Sequence, residues 1–193
     1  MLFFTNDTKS LKLTSFSLDN LILVLKRVLF SLLFAGITGA CAKLRFYLPF
    51  TPVPVTGQVF AVLISGAFLG KEYGALSQIF YIAFGIMGIP WFVIGPIGPT
   101  GGYLVGFILA PYLIGFIIEK IKRPGFLSTT LAMISGVLII YLFGLIQFSL
   151  FTQRGIIESL PLAVIPFIPF DIGKALVAAT FVLVFLKRTG HRK

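Results

Sequence analysis

The sequence predicts an all-α integral membrane protein, a bundle of six transmembrane helices. Hydrophobic residues make up 58% of the chain and charged residues only 11%, and the mean hydropathy is +1.03, a balance that soluble domains do not show. Apolar stretches also recur at lengths that cross a bilayer, or nearly do. They cover residues 22–43, 55–70, 73–90, 102–118, 126–150 and 170–186.

The six stretches divide the chain into three parts. Residues 1–20 form a polar N-terminal segment, residues 21–187 the six-helix transmembrane domain, and residues 188–193 a basic tail. The second and third stretches are short for a membrane span, so we expect them to tilt or to extend into the neighbouring loops.

The distribution of basic residues predicts the orientation of the chain. Six spans place both termini on one side of the membrane, and that side carries twelve basic residues against three in the opposite connectors. By the positive-inside rule, both termini are expected in the cytoplasm. The twelve are Lys9, Lys12, Lys26, Arg27, Lys71, Lys120, Lys122, Arg123, Lys187, Arg188, Arg192 and Lys193, and the three are Lys43, Arg45 and Arg154.

A secretory signal peptide is the alternative interpretation of the first stretch. Lys26 and Arg27 precede an apolar run that ends in Ala40, Cys41 and Ala42, which resembles a cleavage site. The polar segment before this run is long for a signal peptide, and cleavage would leave an odd number of spans. We therefore expect the first helix to be retained.

The three outward connectors are rich in proline and unusually apolar. Proline fixes φ, which lowers the entropy lost when a loop is held in one shape. Apolar side chains such as Phe50, Val53 and Trp91 are costly to leave in water, so these loops are expected to fold back over the bundle and cover a pocket for a small, largely apolar ligand. The prolines are Pro49, Pro52, Pro54, Pro90, Pro96, Pro99, Pro161, Pro166 and Pro169.

Small residues four positions apart on the first span allow a close helix contact. Ala35 pairs with Gly39, and Gly36 pairs with Ala40 on the adjacent face. Most such pairs serve packing within one chain, because small residues let helices approach closely in lipid. The pattern on the first span is nevertheless the best candidate for docking a partner helix.

Asp171 and Lys174 are the charged residues expected inside a span, three positions apart at the start of the last helix. An ionisable pair at membrane depth is costly to keep and therefore indicates a function. The alternative is an ion pair that only locks the helix. Gln58 and Tyr103 adjoin the outer loops and are further candidate ligand contacts, and the backbone at Gly101-Gly102 can donate to an anionic or carbonyl oxygen.

Catalytic and cofactor motifs are missing from the sequence. It has no GxxxxGK[ST] phosphate loop, no GxSxG elbow and no spacing of metal ligands, and the sole histidine, His191, lies in the basic tail. We therefore expect no enzyme activity, no bound metal and no cofactor. An intramembrane enzyme is disfavoured for this reason, whereas a structural or assembly subunit stays open.

Three motifs follow one another in a distinctive order. They are LPFTPVPVTGQ after the first span, GPTGGY at the entry to the fourth, and the D-x-x-K of Asp171 and Lys174 at the start of the sixth. In this order and spacing they resemble the BioY family, the biotin-capturing S component of energy-coupling-factor (ECF) transporters. The resemblance covers residues 30–186.

This resemblance implies a substrate-binding subunit in a prokaryotic plasma membrane. It implies that biotin binds as transported ligand near the extracellular face, and that import requires a transmembrane coupling subunit (T component) and two cytoplasmic ABC-type ATPases. It further implies docking through Ala35 and Gly39, where the family has an AxxxA-like surface. Within the site, Asp171 is expected to accept from the ureido N–H groups, while Lys174 suits either the ureido oxygen or the carboxylate. Arg45 and the Gly101-Gly102 turn are rivals for the carboxylate, and Trp91 suits an apolar wall.

Overall fold

A computed structural model describes residues 18–90 and 98–188, and it is mainly helical. Five stretches of the described chain are long and apolar enough to cross a membrane. Four of them are single helices, and the fifth, Ile156–Arg188, joins two helices through a 3₁₀ turn at Ile165–Phe167. The helices are α1 (Leu18–Lys43), α2 (Gln58–Ile86), α3 (Gly101–Lys120), α4 (Phe126–Thr152), α5 (Ile156–Ala163) and α6 (Ile168–Arg188). The prediction of a helical membrane protein is confirmed.

The predicted count of six spanning helices is not confirmed, because the expected second and third spans form the single element α2. This element is interrupted at Gly70, whose φ of 79° and ψ of 178° are not helical. Positive φ is adopted most readily by glycine, which has no Cβ atom. A break in α2 therefore occurs where the sequence placed a loop.

The break folds α2 back on itself. The side-chain amide of Gln78 lies 3.4 Å from the Ser65 hydroxyl, and that of Gln58 donates to the Tyr81 hydroxyl at 2.6 Å. In a straight helix these pairs would stand about 20 Å and about 35 Å apart along the axis. The two arms of α2, residues 58–69 and 71–86, therefore run antiparallel to each other.

Glycines permit the close approach of the two arms to α3 and to each other. A Cβ atom added to Gly66 would lie 2.5 Å from the carbonyl oxygen of Pro111, and one added to Gly74 would lie 2.9 Å from the Cα atom of Gly66. Such distances leave no room for a side chain, so helix packing accounts for the repeated glycines of this region.

The connectors gather at two ends of the bundle. At one end, the Arg27 guanidinium stands 5.5 Å from the centre of the Tyr73 ring, and Lys71 pairs with Glu119 at 3.8 Å. We call this the basic end, because the start of α1, the turn at Gly70, the α3–α4 connector and the end of α6 bring together Lys26, Arg27, Lys71, Lys120, Lys122, Arg123, Lys187 and Arg188.

The opposite end, which we call the hairpin end, has structure that the sequence analysis did not predict. Strands β1 (Arg45–Phe46) and β2 (Val55–Thr56) form a short antiparallel ladder, and α5 lies in the connector between α4 and α6. Two-residue strands are too short to show an alternating pattern. The helix α5 was not predicted because it lies in an apolar segment with several prolines, which indicated a loop. The hairpin end also holds residues 98–100.

Candidate functional site

A cavity opens among the helices near the hairpin end. Its free volume of about 80 Å³ is several times the ~10–15 Å³ that one water molecule occupies on this measure, so it is more than a packing defect. Its walls come from β2 and the segment before it, the start of α2, α3 and the residue before it, α4, the 3₁₀ turn and α6. The lining residues are Val53, Pro54, Val55, Thr56, Val59, Thr100, Tyr103, Leu104, Phe107, Ile140, Tyr141, Phe167, Asp171 and Lys174.

An acidic side chain forms the polar centre of this cavity. Asp171 is only 3% exposed, and its Oδ1 accepts a hydrogen bond from the Lys174 ammonium at 2.7 Å. Its Oδ2 accepts from the Tyr141 hydroxyl on α4, also at 2.7 Å. Asp171 lies in the first turn of α6, where the positive end of the helix dipole favours a carboxylate. The buried charge is thus compensated from its own helix and from a neighbouring one.

Asp171 and Lys174 can form further hydrogen bonds beyond these two. An ionised carboxylate has about four lone-pair positions, and an ammonium has three N–H groups. Asp171 and Lys174 are the charged side chains among the lining residues, and their charges cancel. The centre therefore suits a neutral polar group that both donates and accepts hydrogen bonds, within apolar walls such as Val55, Phe107 and Phe167.

The β1–β2 connector, whose Val53 and Pro54 line the cavity, is bonded to α5, and we call these two segments the cover (residues 47–54 and 156–163). The Thr51 hydroxyl donates to the Leu162 carbonyl at 2.7 Å, and the Tyr103 hydroxyl on α3 donates to the Ala163 carbonyl. Both carbonyls lack a partner in their own helix. In an α-helix, the Leu162 carbonyl would accept from the residue four positions later, which is Pro166 and has no N–H. The Ala163 carbonyl would accept from Phe167, but the N–H of Phe167 donates to the Val164 carbonyl.

Three of the residues that the sequence analysis proposed line the cavity, namely Asp171, Lys174 and Tyr103. The Tyr103 hydroxyl donates to the Ala163 carbonyl of the cover. Tyr141 was not predicted, although it supplies the contact to Asp171 from another helix. The sequence did indicate a polar contact for Tyr141, because a tyrosine hydroxyl in the middle of an apolar span needs a hydrogen-bond partner within the protein.

The other proposed residues lie elsewhere. Gln58 is half-buried and bonds to Tyr81, joining the two arms of α2. Gly102 packs against α4, since a Cβ atom on it would overlap the Phe143 carbonyl oxygen. Neither Gly101, the first residue of α3, nor Arg45, which is exposed on β1, is among the lining residues. Trp91 is outside the described residues.

The proposed docking residues Ala35 and Gly39 are buried inside the chain, on the face of α1 that packs mainly against α2. The second small pair has the opposite environment. Gly36 and Ala40 are exposed, and a Cβ atom added to Gly36 would meet nothing within 4 Å. The small residues that α1 leaves open for a close helix contact are therefore Gly36 and Ala40.

The fold and the cavity define a helical membrane protein with an internal, largely apolar cavity that contains an ion pair. Comparison with known proteins identifies it further, since the sequence matches the BioY family over residues 9–191. The chain belongs to the BioY family, as the sequence motifs predicted.

Individual relatives agree with this assignment. The chain is 38% identical over 142 residues to the biotin transporter BioY of Thermotoga maritima, a match that covers 70% of this chain and 82% of that protein. It is 35% identical over 172 residues to a probable biotin transporter BioY of Pyrococcus horikoshii, with 86% and 98% covered. These relatives are named as transporters, in agreement with the prediction that the chain is not an enzyme.

A solved structure shares the fold. The crystal structure of the S-component for biotin from an ECF-type ABC transporter superposes with a TM-score of 0.79 at 24% sequence identity, covering 90% of this chain and 95% of that one. At this identity the likeness concerns the fold.

Proposed function

We propose that this chain is the biotin-binding S component of an ECF transporter, which captures biotin in the cavity for ATP-driven import. The observation that carries the proposal is the buried Asp171–Lys174 pair at the centre of an apolar cavity, in a chain of the BioY family. The relatives above, a biotin transporter and a probable biotin transporter, support the ligand and the transport role.

The chemistry of biotin matches the cavity. The free lone pairs of Asp171 accept from ureido N–H groups, Lys174 donates to the ureido oxygen, and the apolar walls contact the fused rings. Because Lys174 is already paired with Asp171, the carboxylate of biotin points toward the hairpin end. Arg45, exposed on β1 at that end, is then the candidate for binding it.

We further propose six membrane crossings, made by α1, the two arms of α2, α3, α4 and α6. This count is supported by the antiparallel contacts of Ser65 with Gln78 and of Gln58 with Tyr81. It places residues 1–20 and 188–193 at the basic end, in the cytoplasm of a prokaryotic cell by the positive-inside rule. The hairpin end and the cavity then face outward.

The partners proposed are the T component and two ABC-type ATPases, supported by the structural likeness to an ECF S-component. We keep α1 as the docking helix. Gly36 and Ala40 are proposed as the contact in place of Ala35 and Gly39, because the latter pair already packs within the chain.

Binding of radiolabelled biotin to the purified chain in lipid nanodiscs tests the proposal. Asp171→Asn should weaken binding by about 2–5 kcal/mol, since it removes a buried charge and leaves Lys174 without its counter-charge. Glu158→Gln is the matched control, because Glu158 is a carboxylate on α5 at the same end but outside the cavity lining. Absence of biotin binding to the unaltered chain would favour a structural or assembly subunit instead.

A further inference from the structure

We propose that Tyr141 is a positioning residue that orients the Asp171 carboxylate, so that the site selects a ligand with ureido N–H groups. This inference rests on the proposed function and deepens it. Tyr141 is 7% exposed, and it lines the cavity from α4, whereas Asp171 and Lys174 belong to α6. The bond between the Tyr141 hydroxyl and Asp171 thus joins two helices across the site.

The Asp171 carboxylate would be free to rotate if Lys174 were its only partner. Asp171 and Lys174 are three residues apart on one helix, and Lys174 has a long, flexible side chain. With no other partner, the carboxylate can turn so that both oxygens face the ammonium, which consumes the acceptors that a ligand needs. Tyr141 holds Oδ2 at 2.7 Å from a second direction, while Lys174 holds Oδ1. Two bonds from different helices fix the plane of the carboxylate.

The Tyr141 hydroxyl can offer a ligand an acceptor but no donor. A tyrosine hydroxyl has one proton, and here it is donated to Asp171. The Tyr141 oxygen can therefore only accept from a ligand. Asp171 and Tyr141 together present acceptors, and the free N–H groups of Lys174 present donors. This array is complementary to a cyclic urea, which carries two N–H donors next to one carbonyl acceptor.

The variant Tyr141→Phe separates an orienting role of Tyr141 from a packing role. Tyr141→Phe keeps the ring against its neighbours and removes only the hydroxyl. Affinity for biotin should fall about 10- to 100-fold, the range for losing a hydrogen bond to a charged group. A packing role alone would weaken all ligands alike, whereas an orienting role predicts a loss of discrimination between ligands that differ at the ureido nitrogen.

The test compares biotin with two biotin analogues, each methylated on one ureido nitrogen, by competition against radiolabelled biotin in nanodiscs. The unaltered chain should reject at least one analogue strongly, and Tyr141→Phe should reduce that rejection at least tenfold. Tyr103→Phe is the matched control, because Tyr103 lines the same cavity but its hydroxyl donates to the Ala163 carbonyl. Tyr103→Phe should leave unchanged the ratio of the affinity for biotin to the affinity for the rejected analogue.

The outcomes are distinguishable. Biotin binding by the unaltered chain, combined with an unchanged ratio in Tyr141→Phe, would refute the positioning role alone. An equal loss of discrimination in Tyr103→Phe would refute it as well, since that hydroxyl does not contact Asp171. Failure of the unaltered chain to bind biotin would refute the proposed function and this inference together. Monodisperse elution and an unchanged circular dichroism spectrum establish that each variant is folded.

Discussion

Replacement of Thr51 by valine should release bound biotin faster by loosening the cover. The Thr51 side chain is buried, and its hydroxyl makes two contacts. It donates to the Leu162 carbonyl at 2.7 Å and accepts from the Val53 N–H at 3.2 Å. Valine has nearly the same shape but makes neither bond. The first contact is the one that joins the two parts of the cover, because it links residues separated by 111 positions in the chain.

The magnitude follows from these two bonds. Each neutral hydrogen bond contributes about 1 kcal/mol net, so the closed cover loses about 1–2 kcal/mol, depending on how far water replaces the lost partners when it opens. With 1.36 kcal/mol per factor of ten, biotin should dissociate about 5- to 30-fold faster. The association rate should not fall, because a looser cover admits biotin at least as readily.

The assay is a chase of radiolabelled biotin with excess unlabelled biotin. Thr51→Ser keeps the hydroxyl and should dissociate at nearly the original rate. Thr152→Val is the matched control at the same end, because the Thr152 hydroxyl donates to the Phe148 carbonyl of its own helix. If folded Thr51→Val released biotin at the original rate, the Thr51–Leu162 bond would not hold the cover closed.

Two further predictions concern orientation and assembly. In a Cys41→Ser background, a cysteine at Lys122 should resist membrane-impermeant maleimide in intact cells, and one at Arg154 should react; the reverse pattern would invert the proposed topology. Gly36→Leu should leave biotin binding intact but reduce copurification with the T component, because bulk separates helices that need close contact. Ala35→Leu should instead disturb the packing of α1 on α2. Normal copurification of Gly36→Leu would exclude the Gly36–Ala40 face of α1 as the docking site.

The intramembrane pair could be found from the sequence for an energetic reason. A charged side chain is expensive at membrane depth, so Asp171 and Lys174 stand out in an apolar span whatever the surrounding fold. Their spacing of three residues also predicts contact, because such residues share a helix face. The ion pair at 2.7 Å agrees with that expectation. Its role toward biotin stays a prediction.

Other parts of the site depend on packing that one sequence does not encode locally. Gly102 and Gln58 had the right chemistry and the right distance from the loops, but the close approach of α4 fills the space beside Gly102, and the fold of α2 brings Tyr81 to Gln58. The turn in α2 was predicted, because it falls at the gap between the second and third apolar stretches. The meeting of Gln58 with Tyr81 was not, because it depends on how the two arms pack.

The cover shows where local reasoning ends and tertiary structure begins. Pro166 has no N–H, so any helix running through Leu162 must leave the carbonyl of that residue without its usual partner. A carbonyl of this kind needs a donor when water is excluded, so the need itself can be read from the sequence. The donor is Thr51, which lies 111 residues earlier in the chain. The ends of α1, α4 and α6 bring the two loops together and so determine that pairing. Because Pro166 leaves the Leu162 carbonyl without its usual helical partner, this carbonyl can accept from Thr51 and join the two parts of the cover.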